Sequence, residues 1–219
     1  MLKIPIGTRI LQKLKFIDVR ELYDERMCVH RRVKTEFKQG NIGQYVQLAL
    51  GITDNRGNYS AAEHGLGPRI LSSSPKSRVF KLAQQLYECK SPKQLPDVVS
   101  QTGIKFLKIS VGSEMAAMLR PKTFWVTNVR TIWAHLLIKH ADDVRKANEE
   151  LELYRDPERT SEMDYRIWSE IHVKLDVALT RLAELGKEEA DRQKVKPGTF
   201  TYLWADAIAN SLYEMRDRM

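Results

Sequence analysis

The chain has 219 residues, 42% of them hydrophobic, which is enough to bury a sizeable core in one domain with appendages or in two small domains. Its formal net charge is +8, unevenly placed: residues 1–130 carry +12 and the remainder −4, so the N-terminal part is suited to a polyanion and the C-terminal part to solvent or protein. No apolar run approaches the roughly 18 residues of a membrane span, and the reading is of a protein with no membrane partner.

The first sixteen residues are basic but lack the clean apolar stretch of a signal peptide. Cys28 and Cys89 stand in no CxxC pattern and read as reduced thiols. A cytoplasmic location is therefore expected.

Residues 18–38 are charged and helix-prone, with Val19, Leu22, Met27, Val33 and Phe37 loosely periodic. Residues 40–77 mix the apolar segment 45–50 with Asn55, Gly57, Gly65 and Pro68, a composition that predicts loops and a possible hairpin. Pro75 opens a helix through Leu82 and Leu86, closed by Ser91 and Pro92. Residues 92–103 hold two prolines and a glycine and read as a connector.

Residues 104–111, IKFLKISV, alternate. In a strand, Leu107, Ile109 and Val111 would pack on a core while Phe106, Lys108 and Ser110 project from the other face. No neighbouring segment offers a partner, so the simplest pairing is with the same strand of a second subunit, antiparallel about a two-fold axis. Such a ribbon fits the DNA major groove. Gly112 would allow a tight exit and Ser113 would cap a short helix through Met115, Met118 and Leu119. Residues 127–153 then predict one long helix, with Val129, Trp133, Leu136, Val144, Ala147 and Leu151 on one face and free N–H groups at Thr127 and Asn128 for a phosphate. An alternating strand followed by two helices is also the pattern of an ordinary edge strand and core helices.

Farther on, Trp168, Ile171, Leu175, Ala178, Leu182 and Leu185 step along one seam, with Ser161 as cap and Gly186 as the expected stop. A last helix is expected over residues 202–216, burying Leu203, Trp204, Ile208 and Leu212.

The succession LKISV, SEMAAML and VTNVRTIWAHLL resembles the ribbon-helix-helix pattern of dimeric DNA-binding regulators. That resemblance implies Phe106, Lys108 and Ser110 as base contacts and Thr127 and Asn128 as a phosphate clamp; Lys105 and Arg130, basic and close by in sequence, are expected as further phosphate contacts. More widely, GSEMAAMLRP, NVRTIWAHLLIKH, SEMDYRIW and YLWADAIANSLYE are similar to the AcaB-type transcriptional regulators of conjugative plasmids and integrative conjugative elements. This implies control of conjugation genes.

The segment from Arg130 to His135 also resembles the R-x4-6-H motif of HEPN ribonucleases, in which His moves a proton and Arg stabilises phosphate charge. Here Thr131 stands where that family commonly has Asn, Asp or His, and five helical steps leave the two side chains about 140° apart. The five histidines (His30, His64, His135, His140, His172) form no metal-ligand spacing with the cysteines, and neither a phosphate-binding loop nor a nucleophile elbow is present.

The expectation is a mainly α protein with three parts. Residues 1–100 form a basic, mostly helical extension, residues 101–155 a ribbon-helix-helix core, and residues 156–219 a C-terminal helical region. It would be a homodimer or higher homo-oligomer that binds double-stranded DNA sequence-specifically, a non-enzymatic transcriptional regulator without cofactor or metal. The alternative is a ribonuclease using Arg130 and His135.

Overall fold

The computed structural model describes residues 9–154 and 161–216, the side chains of 161–164 excepted. The described residues form eleven α-helices and three 3₁₀ turns and no strand, and they divide into two compact units.

The central unit is Asp24–Asn128. It takes the greater part of α1 (Phe16–Lys38), then α2 (Ile42–Ala49), α3 (Tyr59–Glu63), α4 (Leu66–Ser73), α5 (Lys76–Glu88), α6 (Leu95–Gln101) and α7 (Ile109–Leu119). Helix α7 is its axis. Nearly every residue from Ile109 to Leu119 is buried, so α7 is mostly apolar on all sides, with Ser110, Ser113 and Glu114 its polar residues, and α2, α3, α5 and α6 pack around it. Residues 41–57 form α2 and a 3₁₀ turn at Asn55–Gly57 rather than a hairpin, and the expected connector at 92–103 contains α6.

The terminal unit is Met1–Tyr23 with Val129–Met219. It holds the first turns of α1 with α8 (Val129–Lys139), α9 (Val144–Leu153), α10 (Ser161–Arg192) and α11 (Thr201–Met215). Helix α11 packs against α8 and α10, and residues 203–210 are buried without interruption. Tyr23 closes the start of α11, because its hydroxyl accepts from the N–H groups of Thr199 at 3.0 Å and Phe200 at 3.1 Å.

Four expectations are corrected here. The ribbon-helix-helix core is absent: residues 104–108 turn and coil, with a Leu107 N–H to Ile104 carbonyl bond of 3.2 Å, and helix begins at Ile109. Leu107, Ile109 and Val111 are buried as the alternation predicted, but Val111, Met115, Met118 and Leu119 continue the pattern at helical spacing, and the stretch 104–111 is too short to distinguish the periods. With no strand to pair, the reason for an intermolecular ribbon disappears too.

The helix expected over 127–153 is two. Ala141 (φ 52°) and Asp142 (φ 69°) are left-handed, and Asp143 caps α9 by accepting from the Lys146 N–H at 3.1 Å.

Gly186 does not end a helix, and Gly112 is not a loop exit. Both are helical, and they permit close approach: a Cβ on Gly112 would run into Val99 Cγ2, and one on Gly186 into Ile208 Cδ1. The true end of α10 uses Lys194 at φ 59°, with the Val195 N–H returning to the Ala190 carbonyl at 2.8 Å.

Candidate nucleic-acid interface

Charge separates along the unit boundary. The central unit has 16 Lys+Arg against 8 Asp+Glu and carries the whole net charge of +8, while the terminal unit has 20 of each.

Within the central unit four cations meet at residues 102–108: Lys105 and Lys108 lie in this segment, and Arg69 and Arg78 reach it from other helices. Ile104 and Leu107 are buried and anchor this loop, and two left-handed residues, Gly103 (φ 58°) and Phe106 (φ 67°), shape it. The Phe106 ring is left half-exposed. Arg69, from α4, places its guanidinium carbon 4.2 Å from the ring centroid, and the Lys105 ammonium lies 5.1 Å from it. Arg78, from α5, donates to the Thr102 carbonyl at 2.6 Å. Lys108, exposed, stands at the N-cap of α7.

Among the described residues no carboxylate pairs with Arg69, Arg78, Lys105 or Lys108. Elsewhere in the unit Arg56 is held by Glu25 at 2.7 Å and Arg32 by Asp54 at 2.9 Å.

A buried polar knot fixes the elements that carry this loop. The Glu114 side chain is 0% exposed and the facing Arg26 1%. One Glu114 oxygen accepts from the Tyr59 N–H at 2.7 Å and pairs with Arg26 at 3.5 Å. The other accepts from the Ser60 N–H at 3.0 Å, the Ser60 hydroxyl at 2.6 Å and the Asn128 amide at 3.2 Å. Arg26 also donates to the Arg56 carbonyl and lies over the Tyr59 ring at 4.8 Å. Asn58 completes the knot: its amide donates to the Ala49 and Val111 carbonyls, both at 3.0 Å, while its oxygen caps α3. These bonds tie the start of α3 to α7. Because α4 follows α3, they also set Arg69 relative to the loop that opens α7.

Of the sequence-predicted site residues, Lys105, Phe106 and Lys108 are brought together, on a loop rather than a strand. Ser110 lies in the first turn of α7, half-buried, with its carbonyl accepting from the Ser113 hydroxyl at 3.0 Å. Thr127 and Asn128 are buried at 0% and 4% exposure. The Thr127 N–H is taken by the Ser113 hydroxyl at 2.9 Å, and Asn128 belongs to the Glu114 knot, so neither is offered at the surface as a clamp.

Arg130 belongs to the terminal unit. It donates to Asn210 at 3.0 Å, lies 3.8 Å from Glu214 and stacks over Tyr213 at 5.5 Å. His135 is half-buried, and burial holds its pKa below the usual histidine value, with the nearby Lys139 acting the same way. The motif's two residues thus stand in a packed helical surface in which the arginine is already engaged.

Sequence reasoning missed Arg69, Arg78 and the Glu114 knot. Glu114 had one legible signal: it is the lone acid of an otherwise apolar helical run, and a charge there must be paired. Among the described residues no group of three or more His, Cys, Asp and Glu side chains is placed to hold a metal ion, and no helix is long and apolar enough to cross a membrane. No family model, curated protein or solved structure matches the chain.

Proposed function

We propose that the chain binds double-stranded DNA through the basic loop of its central unit and acts as a transcriptional regulator. The observation that carries this reading is the confinement of the net charge to one unit, together with a group of exposed cations there that have no carboxylate partner among the described residues. Arg69, Lys105 and Lys108 are the phosphate contacts, with Arg78 shaping the loop beside them.

Anions are the natural ligands of such a group, and a polyanion releases counterions on binding, which makes affinity strongly salt-dependent. From the resemblance read in GSEMAAMLRP and NVRTIWAHLLIKH we propose transcription of conjugation genes as the setting.

Fluorescence anisotropy of a labelled duplex titrated with the full chain over a salt series tests the reading. The variant R69A/K105A/K108A is expected to bind more weakly and to flatten the slope of log affinity against log salt by about 0.9 per lost contact. An unchanged slope, or no duplex binding, overturns it. Selection from a random duplex library should return a defined site; an evenly retained library overturns the regulator.

A further inference from the structure

Phe106 is out of keeping with its surroundings. The other apolar residues near it, Ile104, Leu107 and Ile109, are buried at 5% exposure or less, yet this one aromatic ring stays half-exposed. It does so at φ 67°, a backbone region that aromatic L-residues rarely adopt. The other non-glycine left-handed positions among the described residues are Ala141, Asp142 and Lys194, which end or join helices; Phe106 alone is a large apolar side chain. Strain of this kind persists where the surroundings enforce it, and it gathers at sites of function.

Its neighbours are as telling. Arg69 and Lys105 lie over the ring, and Lys108 follows two positions on. None of the three has a carboxylate partner among the described residues. A ring that is only half-buried, among cations without a carboxylate partner, matches a nucleotide: the base stacks on the part of the ring the protein leaves uncovered while its flanking phosphates meet the cations. A base inside a duplex is already stacked on both faces and cannot do this. A base that is unpaired can.

We propose that Phe106 is a stacking platform for one unpaired base, so that the central unit prefers DNA with a displaced nucleotide to fully paired DNA. The proposal rests on the DNA-binding reading and names the structural class of DNA that the loop takes. The Arg69 and Lys105 contacts hold the ring in one orientation before the base arrives, which lowers the ordering cost of binding. Phe106 supplies the stacking surface, and Arg69, Lys105 and Lys108 supply the phosphate contacts on either side.

The experiment uses the full chain and two labelled duplexes of one sequence, one fully paired and one with a single-nucleotide bulge carrying 2-aminopurine; affinity is read by anisotropy and stacking by 2-aminopurine fluorescence. The bulged duplex is expected to bind roughly 5- to 150-fold tighter, the range for one aromatic–base stack, with quenching of the 2-aminopurine. Phe106→Leu should bring the affinity ratio to about one and abolish the quenching, and Phe106→Trp should keep both. Equal affinity for the two duplexes, or a bulge preference that Phe106→Leu leaves intact, overturns the stacking proposal while salt-dependent duplex binding stands. Absence of binding to either duplex overturns both readings.

Discussion

Glu114 gives the sharpest test of how the central unit is held together. Its carboxylate accepts five hydrogen bonds, from the Tyr59 and Ser60 N–H groups, the Ser60 hydroxyl, the Asn128 amide and, at 3.5 Å, the equally buried Arg26 guanidinium. Glu114→Ala removes the acceptor and leaves a buried guanidinium without its counter-charge, at a cost of about 3–5 kcal/mol. Against a total stability of roughly 5–15 kcal/mol, that loss would bring the unit close to unfolding. Glu114→Gln is the milder probe: the amide keeps the shape but turns one acceptor into a donor aimed at donors. Hydrogen bonds to a charged group are each worth about 1.5–3 kcal/mol, and losing part of the set should cost about 2–4 kcal/mol. Arg26→Met with Glu114→Leu removes both charges together and should cost less than the two single losses combined. Urea unfolding followed by far-UV circular dichroism measures the cycle on the wild type, Arg26→Met, Glu114→Leu and the double variant, and the same assay reads the losses in Glu114→Ala and Glu114→Gln. A Glu114→Gln loss below about 1 kcal/mol, or additive single losses, would refute the account of a coupled buried pair.

Phe106→Gly should be more stable than Phe106→Ala by about 1 kcal/mol, the reverse of the usual order, because only glycine takes φ 67° without penalty; equal denaturation midpoints would count against the strain. Tyr45 is fully buried, and its hydroxyl has no hydrogen-bond partner among the described residues, so Tyr45→Phe should hold or raise stability by up to about 1 kcal/mol; a clear loss in thermal unfolding would disprove that. Gly112→Ala should destabilise by about 1–3 kcal/mol despite alanine's better helix propensity, since its methyl meets Val99, and a stabilised variant would refute the contact. Burial holds His30 and His135 below the ordinary histidine pKa. The unfolded chain therefore binds protons that the folded chain resists: stability is full above about pH 6.5 and falls as pH drops from there toward the lowered folded values. His135→Gln should flatten the fall between pH 7 and 5 measured by urea titration; an unchanged profile would rule His135 out as a source.

The helical class and the positions of α1, α5, α10 and α11 were legible, best of all in the seam from Trp168 to Leu185, which repeats the helical period often enough to declare it, whereas the short helices α2, α3, α4 and α6 lie where loops, a hairpin or a connector were expected. The charge shift near residue 130 also fell beside a real boundary, that between Asn128 and Val129. The other boundary was hidden: Tyr23 and Asp24 lie inside the unbroken α1, with no proline or glycine to mark a change of unit. Glycine misled twice for one physical reason. At Gly112 and Gly186 it is the missing Cβ that matters, allowing α7 to approach Val99 and α10 to approach Ile208, and a single sequence shows no difference between that use and a helix stop. Arg69 could not be found at all, since its place over Phe106 depends on how α4 is held against α7.

That dependence links the stability of the central unit to its proposed activity. Ile104 and Leu107 anchor the loop from beneath, and the Glu114 knot ties α3, and through it α4, to the helix that the loop opens. The phosphate contacts are thus drawn from two elements whose mutual position is set by buried hydrogen bonds, not by the exposed side chains themselves. A cation group arranged in this way loses little freedom when it binds, whereas one displayed on an untethered loop must be ordered by its ligand. Glu114→Gln should therefore weaken DNA binding under conditions where circular dichroism still reports a folded chain, although Glu114 itself is 0% exposed and touches no ligand. An affinity unchanged in a destabilised but folded Glu114→Gln protein would mean that Arg69 and the loop find their places independently of the knot.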